Sequence, residues 1–146
     1  RRVDAAGGPP GITLGTPRSQ WVPLSECGGT TKDAAQRVVF CALKPELRVQ
    51  LGNDSVDRVE LYFEGPPNAR VSDRPEPLPT DRLRVVRLGK QQAGRDWIRA
   101  LHALYGPPSR LDMGNLYWEG QTVRVIARSS RFPEPSCEVW WTWLGE

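Results

Sequence analysis

Apolar residues recur at helical spacing in one stretch of this chain and at strand spacing through most of the rest. Between Asp96 and Pro108, Trp97, Ala100, Leu101 and Leu104 fall on one face of a helix. Gly106 can take the left-handed conformation that ends a helix, and Pro107 and Pro108 cannot continue one. The spacing therefore predicts a helix from about Gln91 to Tyr105. Near the start, Ile12 and Leu14 form a short extended piece. Thr16 suits an N-cap and Pro17 a first helical position, so a second, short helix follows, with Trp21 and Leu24 facing the core and Pro23 at its end.

Strand signals fill most of the remainder. Residues 37–43 are apolar enough for a buried strand, and 83–88 form another. Leu47, Val49 and Leu51 alternate with polar residues, as do Val59, Leu61 and Phe63. The turn formers Gly52-Asn53-Asp54-Ser55 lie between the two runs, which reads as a β-hairpin. Leu116–Trp118 and Thr122–Ala127 form a second hairpin across Glu119-Gly120. In the last run, alternation puts Val139, Trp141 and Trp143 on one face and Trp140, Thr142 and Leu144 on the other. Residues 65–81 contain five prolines, which excludes a helix or central strand and leaves a long loop. The predicted fold is α+β: an antiparallel sheet with two short helices packed on one face, in a helix–hairpin layout loosely duplicated. Residues 1–10 lack an apolar core and read as a flexible leader, and 11–146 as a single α+β domain carrying the Pro-rich loop 65–81.

Composition narrows the function classes. A chain of 146 residues can bury ~68–70% of the surface its unfolded form exposes. It contains no run of ~18 apolar residues, so no transmembrane segment is expected. The net charge is +3, but the basic residues are spread thinly and only Lys32, Lys44 and Lys90 are lysines. With no block of like charge and no aromatic-plus-glycine signature, no nucleic-acid partner is expected.

Three cysteines are present, and no pair has metal-ligand spacing. Cys27 and Cys41 lie 14 apart and straddle Gly28-Gly29-Thr30-Thr31, read as a turn. A disulfide closing such a loop stabilises by ~3 kcal/mol in the chain-entropy model and places the protein in an oxidising compartment. The competing reading is three reduced, buried thiols. Cys137 is then either a buried free thiol or the true partner of one of the others.

Ile12-Thr13-Leu14-Gly15-Thr16, Val59-Glu60-Leu61-Tyr62-Phe63 and the helix end from Leu101 to Pro108 ahead of Trp118 form a layout that resembles small bacterial envelope proteins. It is similar to the β-lactamase-inhibitor-protein half-domain and to the small outer-membrane assembly lipoproteins. The resemblance implies helices on an antiparallel sheet and a function of binding other proteins, and the disulfide of some of those proteins fits Cys27 and Cys41. No lipid-attachment cysteine stands near the start, loop 65–81 is long for such a core, and no site residue is carried over.

Catalytic constellations are sparse. His102 is the single histidine, with no serine or cysteine placed beside it by sequence, and it reads as a solvent-side residue near a helix C-terminus. Glu60, Glu64, Glu119, Glu138 and Asp57 could supply a glycosidase pair but read as surface acids. No phosphate loop, nucleophile elbow or metal spacing occurs, so no cofactor and no metal are expected. The unusual composition is Trp140-Trp141-Thr142-Trp143, whose indoles cannot all share one face. With Trp118 and Tyr117 in the preceding hairpin, this reads either as an aromatic contact surface or as a strand covered on both faces, by the helix of Trp97 on one and by the N-terminal segment with Trp21 on the other. The candidate contact residues are Tyr62, Tyr117, Trp118 and Trp140, together with Arg70 and Arg74 of the Pro-rich loop. The expected function is a non-enzymatic periplasmic or secreted module that binds another envelope or secreted protein, as an inhibitor, an immunity-type factor or an envelope-assembly accessory. A glycan- or peptidoglycan-binding module using the same tryptophans is the alternative, and a small hydrolase the third reading.

Overall fold

The structure, a computed structural model, describes residues 2–21, 25–32, 37–43, 48–56, 58–64, 81–91, 94–130 and 136–145, with the backbone alone for 25–32, 37–43, 58, 64, 91 and 94. Its strands are β1 (Ser25–Lys32), β2 (Arg37–Leu43), β3 (Val49–Leu51), β4 (Asp54–Val56), β5 (Arg58–Glu64), β6 (Arg82–Gln91), β7 (Arg110–Asp112), β8 (Asn115–Glu119), β9 (Val123–Ser130) and β10 (Ser136–Trp143). Two α-helices, α1 (Arg2–Ala6) and α2 (Gly94–Tyr105), accompany them. An eight-stranded sheet runs in the order β1-β2-β5-β6-β10-β9-β8-β7, with every pair antiparallel. Two meanders, β1-β2-β5-β6 and β7-β8-β9-β10, thus join along β6 and β10. The architecture is sheet-rich with few helices, and the label α+β fits it only loosely.

Alternation drives the strands as expected. Val59, Leu61 and Phe63 of β5, Val123, Val125 and Ala127 of β9, and Cys137, Val139 and Trp141 of β10 all turn to one face, each at most 2% exposed. On β6 a one-residue shift between its pairings with Tyr62 and Phe63 lets Leu83 and Val86 both reach that face. Helix α2 covers the face with Trp97 and Leu101, both 0% exposed, and with Tyr105. Burying side chains of this size stabilises by about 1.5–3 kcal/mol each. Gly106 ends the helix at φ 81°, its N–H donating to the His102 carbonyl at 2.8 Å. Leu104, expected on the buried face, is 41% exposed; the row at 97, 101 and 105 packs instead.

Four further expectations are corrected. The leader is not free: Arg2–Ala6 form α1, Val3 enters the core, and Asp4 hydrogen-bonds the β8–β9 turn. The helix after Pro17 shrinks to a single 3-10 turn, Arg18–Gln20. There Thr16 Oγ1 donates to the Thr13 carbonyl and accepts from Trp21 Nε1, which ties the segment down without a longer helix. β3 pairs with β4 across Gly52-Asn53 as a separate two-stranded sheet, while β5 joins β2 and β6. Gly28 and Gly29 lie inside β1, at a register shift opposite β2, rather than in a turn. β7 was not evident in the pattern; it folds back on β8 across Met113-Gly114, with φ 51° and 80°. The Pro-rich loop lies outside the described residues except for Asp81, which is buried.

Helix α1, the segment carrying Ile12, Leu14 and Trp21, the β3–β4 hairpin and α2 all contribute to one hydrophobic cluster with the inward side chains of the large sheet. Every described element outside that sheet is therefore gathered on one side of it.

Candidate functional site

The opposite face of the sheet carries the other half of each alternation. Strand register aligns one row across six strands: Glu60 (β5), Arg87 (β6), Trp140 (β10), Ile126 (β9), Tyr117 (β8) and Arg110 (β7). A neighbouring row holds Tyr62, Val85, Thr142, Arg124 and Glu119. Among the described residues no helix or loop covers this face. Its side chains shield one another instead: Tyr62, Arg87, Tyr117, Ile126 and Trp140 are half-buried, and Val85 beneath them is only 7% exposed while standing outside the main core.

Arg87 organises the centre. Its Nη1 donates to Glu60 Oε1 at 3.0 Å and its Nη2 to Glu138 Oε1, while the guanidinium stacks 5.4 Å from the Trp140 ring. Tyr62 Oη donates to the second oxygen of Glu60 at 3.0 Å, and its ring sits 5.8 Å from that of Trp140. Trp140 Nε1 donates to the second oxygen of Glu138 at 3.4 Å. Burial pushes the Tyr62 phenol up, the Glu60 carboxylate adds to this, and the result is about 12. Burial also acts to raise Glu138, but the hydrogen bond and charge of Arg87 outweigh it and hold the carboxyl below its ordinary value. At the edge, Arg110 lies 3.8 Å over the Tyr117 ring and donates to Glu119 at 3.0 Å. The Arg124 Nε is buried with no hydrogen-bond partner, and Arg128 on the same strand is exposed.

Of the residues singled out from sequence, Tyr62, Tyr117 and Trp140 stand on this face, with Tyr62 and Trp140 in ring contact. Trp118 is not on it. It is 2% exposed on the core side, its Nε1 donates to the Gly106 carbonyl at 2.9 Å, and the exposed His102 meets its ring edge-on. Arg70 and Arg74 lie outside the described residues. Sequence reasoning missed Arg87, Arg110 and Ile126. The available signal was strand parity: Arg87 separates the inward Val86 and Leu88, so it had to face outward with Trp140.

Glu60 and Glu138, two of the acids considered for glycosidase work, share one guanidinium. Among the described residues no group of three or more His, Cys, Asp or Glu is placed to hold a metal ion. Cys137 is a buried free thiol whose titration burial pushes up. No helix among the described residues is long and apolar enough to cross a membrane. No known protein family, characterised protein or solved structure matches this chain.

Proposed function

We propose that this chain is a non-enzymatic protein-binding module that works through the sheet face carrying Trp140. The observation that carries the reading is the row Arg87, Trp140, Ile126, Tyr117 and Arg110, in register on a face no described element covers. Aromatic and arginine side chains, held rigid by neighbours before any partner arrives, are what binding hot spots use, because little side-chain entropy remains to be lost. The partner chemistry is an apolar anchor for Ile126 and Trp140, flanked by carboxylates for Arg124 and Arg128. The net charge of +3 favours encounter with such an acidic surface. The inhibitor-like or envelope-accessory role belongs to this reading, with a secreted or envelope protein as the partner.

A periplasmic or extracellular location goes with a Cys27–Cys41 disulfide. The two side chains lie outside the description, but their Cα atoms are direct cross-strand partners. Such partners sit about 4.5–5.5 Å apart, inside the span a disulfide bridges. Cys137 is on β10, three strands from β2, or roughly 14 Å at ordinary strand spacing, and is out of reach of Cys41.

The test is complex formation measured with the purified chain and a purified partner from the envelope fraction of its source cell. A one-to-one complex weakened roughly 30-fold or more by Trp140→Ala, and unchanged by Arg99→Ala on the exposed side of α2, supports the proposal. Quenching of tryptophan fluorescence by glycan fragments, with no protein complex, replaces it by the glycan-binding reading. Binding of single-stranded nucleic acid that weakens steeply with salt overturns both.

A further inference from the structure

The β7–β8 hairpin forms one edge of the sheet, and its outer strand has a self-complementary sequence. β7 is Arg110-Leu111-Asp112, with all three residues exposed, and it ends the strand order. Leu111 is 68% exposed and Met113, at the hairpin tip, 94%. Asp112 and Asn115 close the two-residue turn, so in such a hairpin they form the hydrogen-bonded pair. By alternation, Leu111 is opposite Leu116 in a non-hydrogen-bonded pair, and the Leu111 N–H and C=O point away from β8.

We propose that β7 pairs antiparallel with β7 of a second copy of this chain, about a twofold axis at Leu111. In that register the Leu111 N–H of each copy donates to the Leu111 carbonyl of the other, which uses the outward groups of both. Each Arg110 falls opposite Asp112 of the other copy. Arg110 and Asp112 already attract one another within a chain, at 3.3 Å, so the pairing closes a ring of four alternating charges. The two Leu111 side chains meet on the side of the sheet that carries Leu116 and Ala127, and each covers apolar surface the other leaves in water. The shared edge also joins the two Trp140-bearing faces into one, with a Tyr117–Arg110 stack on either side of the axis. A contact over three residues is small beside the roughly 1,200–2,000 Å² of a stable interface, so the dimer is a weak one that forms in the upper micromolar to millimolar range. A strand from an unrelated peptide has no reason to carry the reversed Arg–Asp order that a second copy carries by identity.

The assay is sedimentation velocity of the full chain across roughly micromolar to millimolar concentration. The expected result is a monomer at the low end and a dimer at the high end. Arg110→Asp places like charges opposite one another twice and lowers the association constant about tenfold or more, and the double variant R110D/D112R restores it by reversing the order in both copies. Leu111→Pro deletes the outward N–H at an edge position and abolishes the dimer. Thermal melts that leave each variant folded at the assay temperature, whatever stability is lost with the Tyr117 and Glu119 contacts of Arg110, separate loss of pairing from loss of folding. A wild-type chain that stays monomeric throughout overturns the proposal, as does a dimer indifferent to Arg110→Asp and Leu111→Pro. A dimer lost instead on Trp140→Ala assigns self-association to the sheet face and equally overturns it.

Discussion

Replacing Asp4 by Asn tests whether the first helix is a working part of the fold. Asp4 Oδ1 accepts from Thr122 N at 2.9 Å, Val123 N at 3.0 Å and Thr122 Oγ1 at 3.1 Å, and Oδ2 accepts from Gln121 N at 2.9 Å. Burial acts to raise the carboxyl, but these backbone donors outweigh it and bring the value from 3.8 down to about 2. That difference corresponds to at most ~2.5 kcal/mol in favour of the charged form, and solvent screening at this half-buried position reduces it to about 1–2 kcal/mol. Asn keeps one acceptor oxygen and turns an amide N–H toward a backbone donor, so D4N is expected to lose about 1–2 kcal/mol at pH 7, or about 3–6 °C in Tm. The folded-state value is depressed, so this stabilisation is complete above the unfolded value near 3.8. It fades as pH falls from there through about 2, where protonated Asp resembles Asn. Urea unfolding followed by tryptophan fluorescence at pH 7 and near pH 2 reads both numbers. A gap between wild type and D4N that persists undiminished at the acid end would refute the reasoning, because the lost energy would then not depend on the carboxylate charge.

The remaining predictions use the same unfolding assay or simple chemistry. Tyr105→Phe removes the hydroxyl that accepts from Trp141 Nε1 at 2.9 Å and donates to the Gly8 carbonyl at 3.3 Å, so a buried indole N–H loses its partner at a cost of about 1–3 kcal/mol. Gly120→Ala drives a methyl group into the Asp4 carboxylate and destabilises. In a D4A background that penalty shrinks, and the double-mutant cycle shows a coupling of about 0.5 kcal/mol or more, whereas additive effects would mean the two do not touch. Thiol counting in unreduced, denatured protein is expected to find one free thiol, that of Cys137; three would remove the disulfide and with it the argument for an oxidising compartment.

Much of the secondary structure was legible because its causes are local. Strand parity placed Val139 and Trp141 against Trp140 correctly, since successive side chains on a strand point to opposite faces whatever lies around them. Gly106 and the two prolines marked the end of α2 for the same reason. The candidate face was half legible. The pattern singles out Tyr62, Tyr117 and Trp140 but equally Trp118, because parity says that Tyr117 and Trp118 differ and cannot say which one faces the core. Arg87 was overlooked because an arginine flanked by aliphatics reads as ordinary alternation until Glu60 and Glu138 are seen to converge on it from both neighbouring strands.

By itself the sequence determined the longer alternating strands from β5 to β10, but not β1, β4 or β7, together with where the long helix stops and that the last strand carries indoles on two faces. Tertiary structure decided which strands pair, sending β3 to β4 rather than β5, because neighbours in a sheet are chosen by contacts between residues far apart in the chain. It also decided that the first residues dock as α1, since a five-residue helix is too short to hold without Val3 in the core and Asp4 on the β8–β9 turn. Above all, it decided which side of the sheet is covered. Alternation supplies two faces of comparable aromatic content, and packing of α1, α2 and the β3–β4 hairpin on one of them leaves Trp140 and its neighbours on the other.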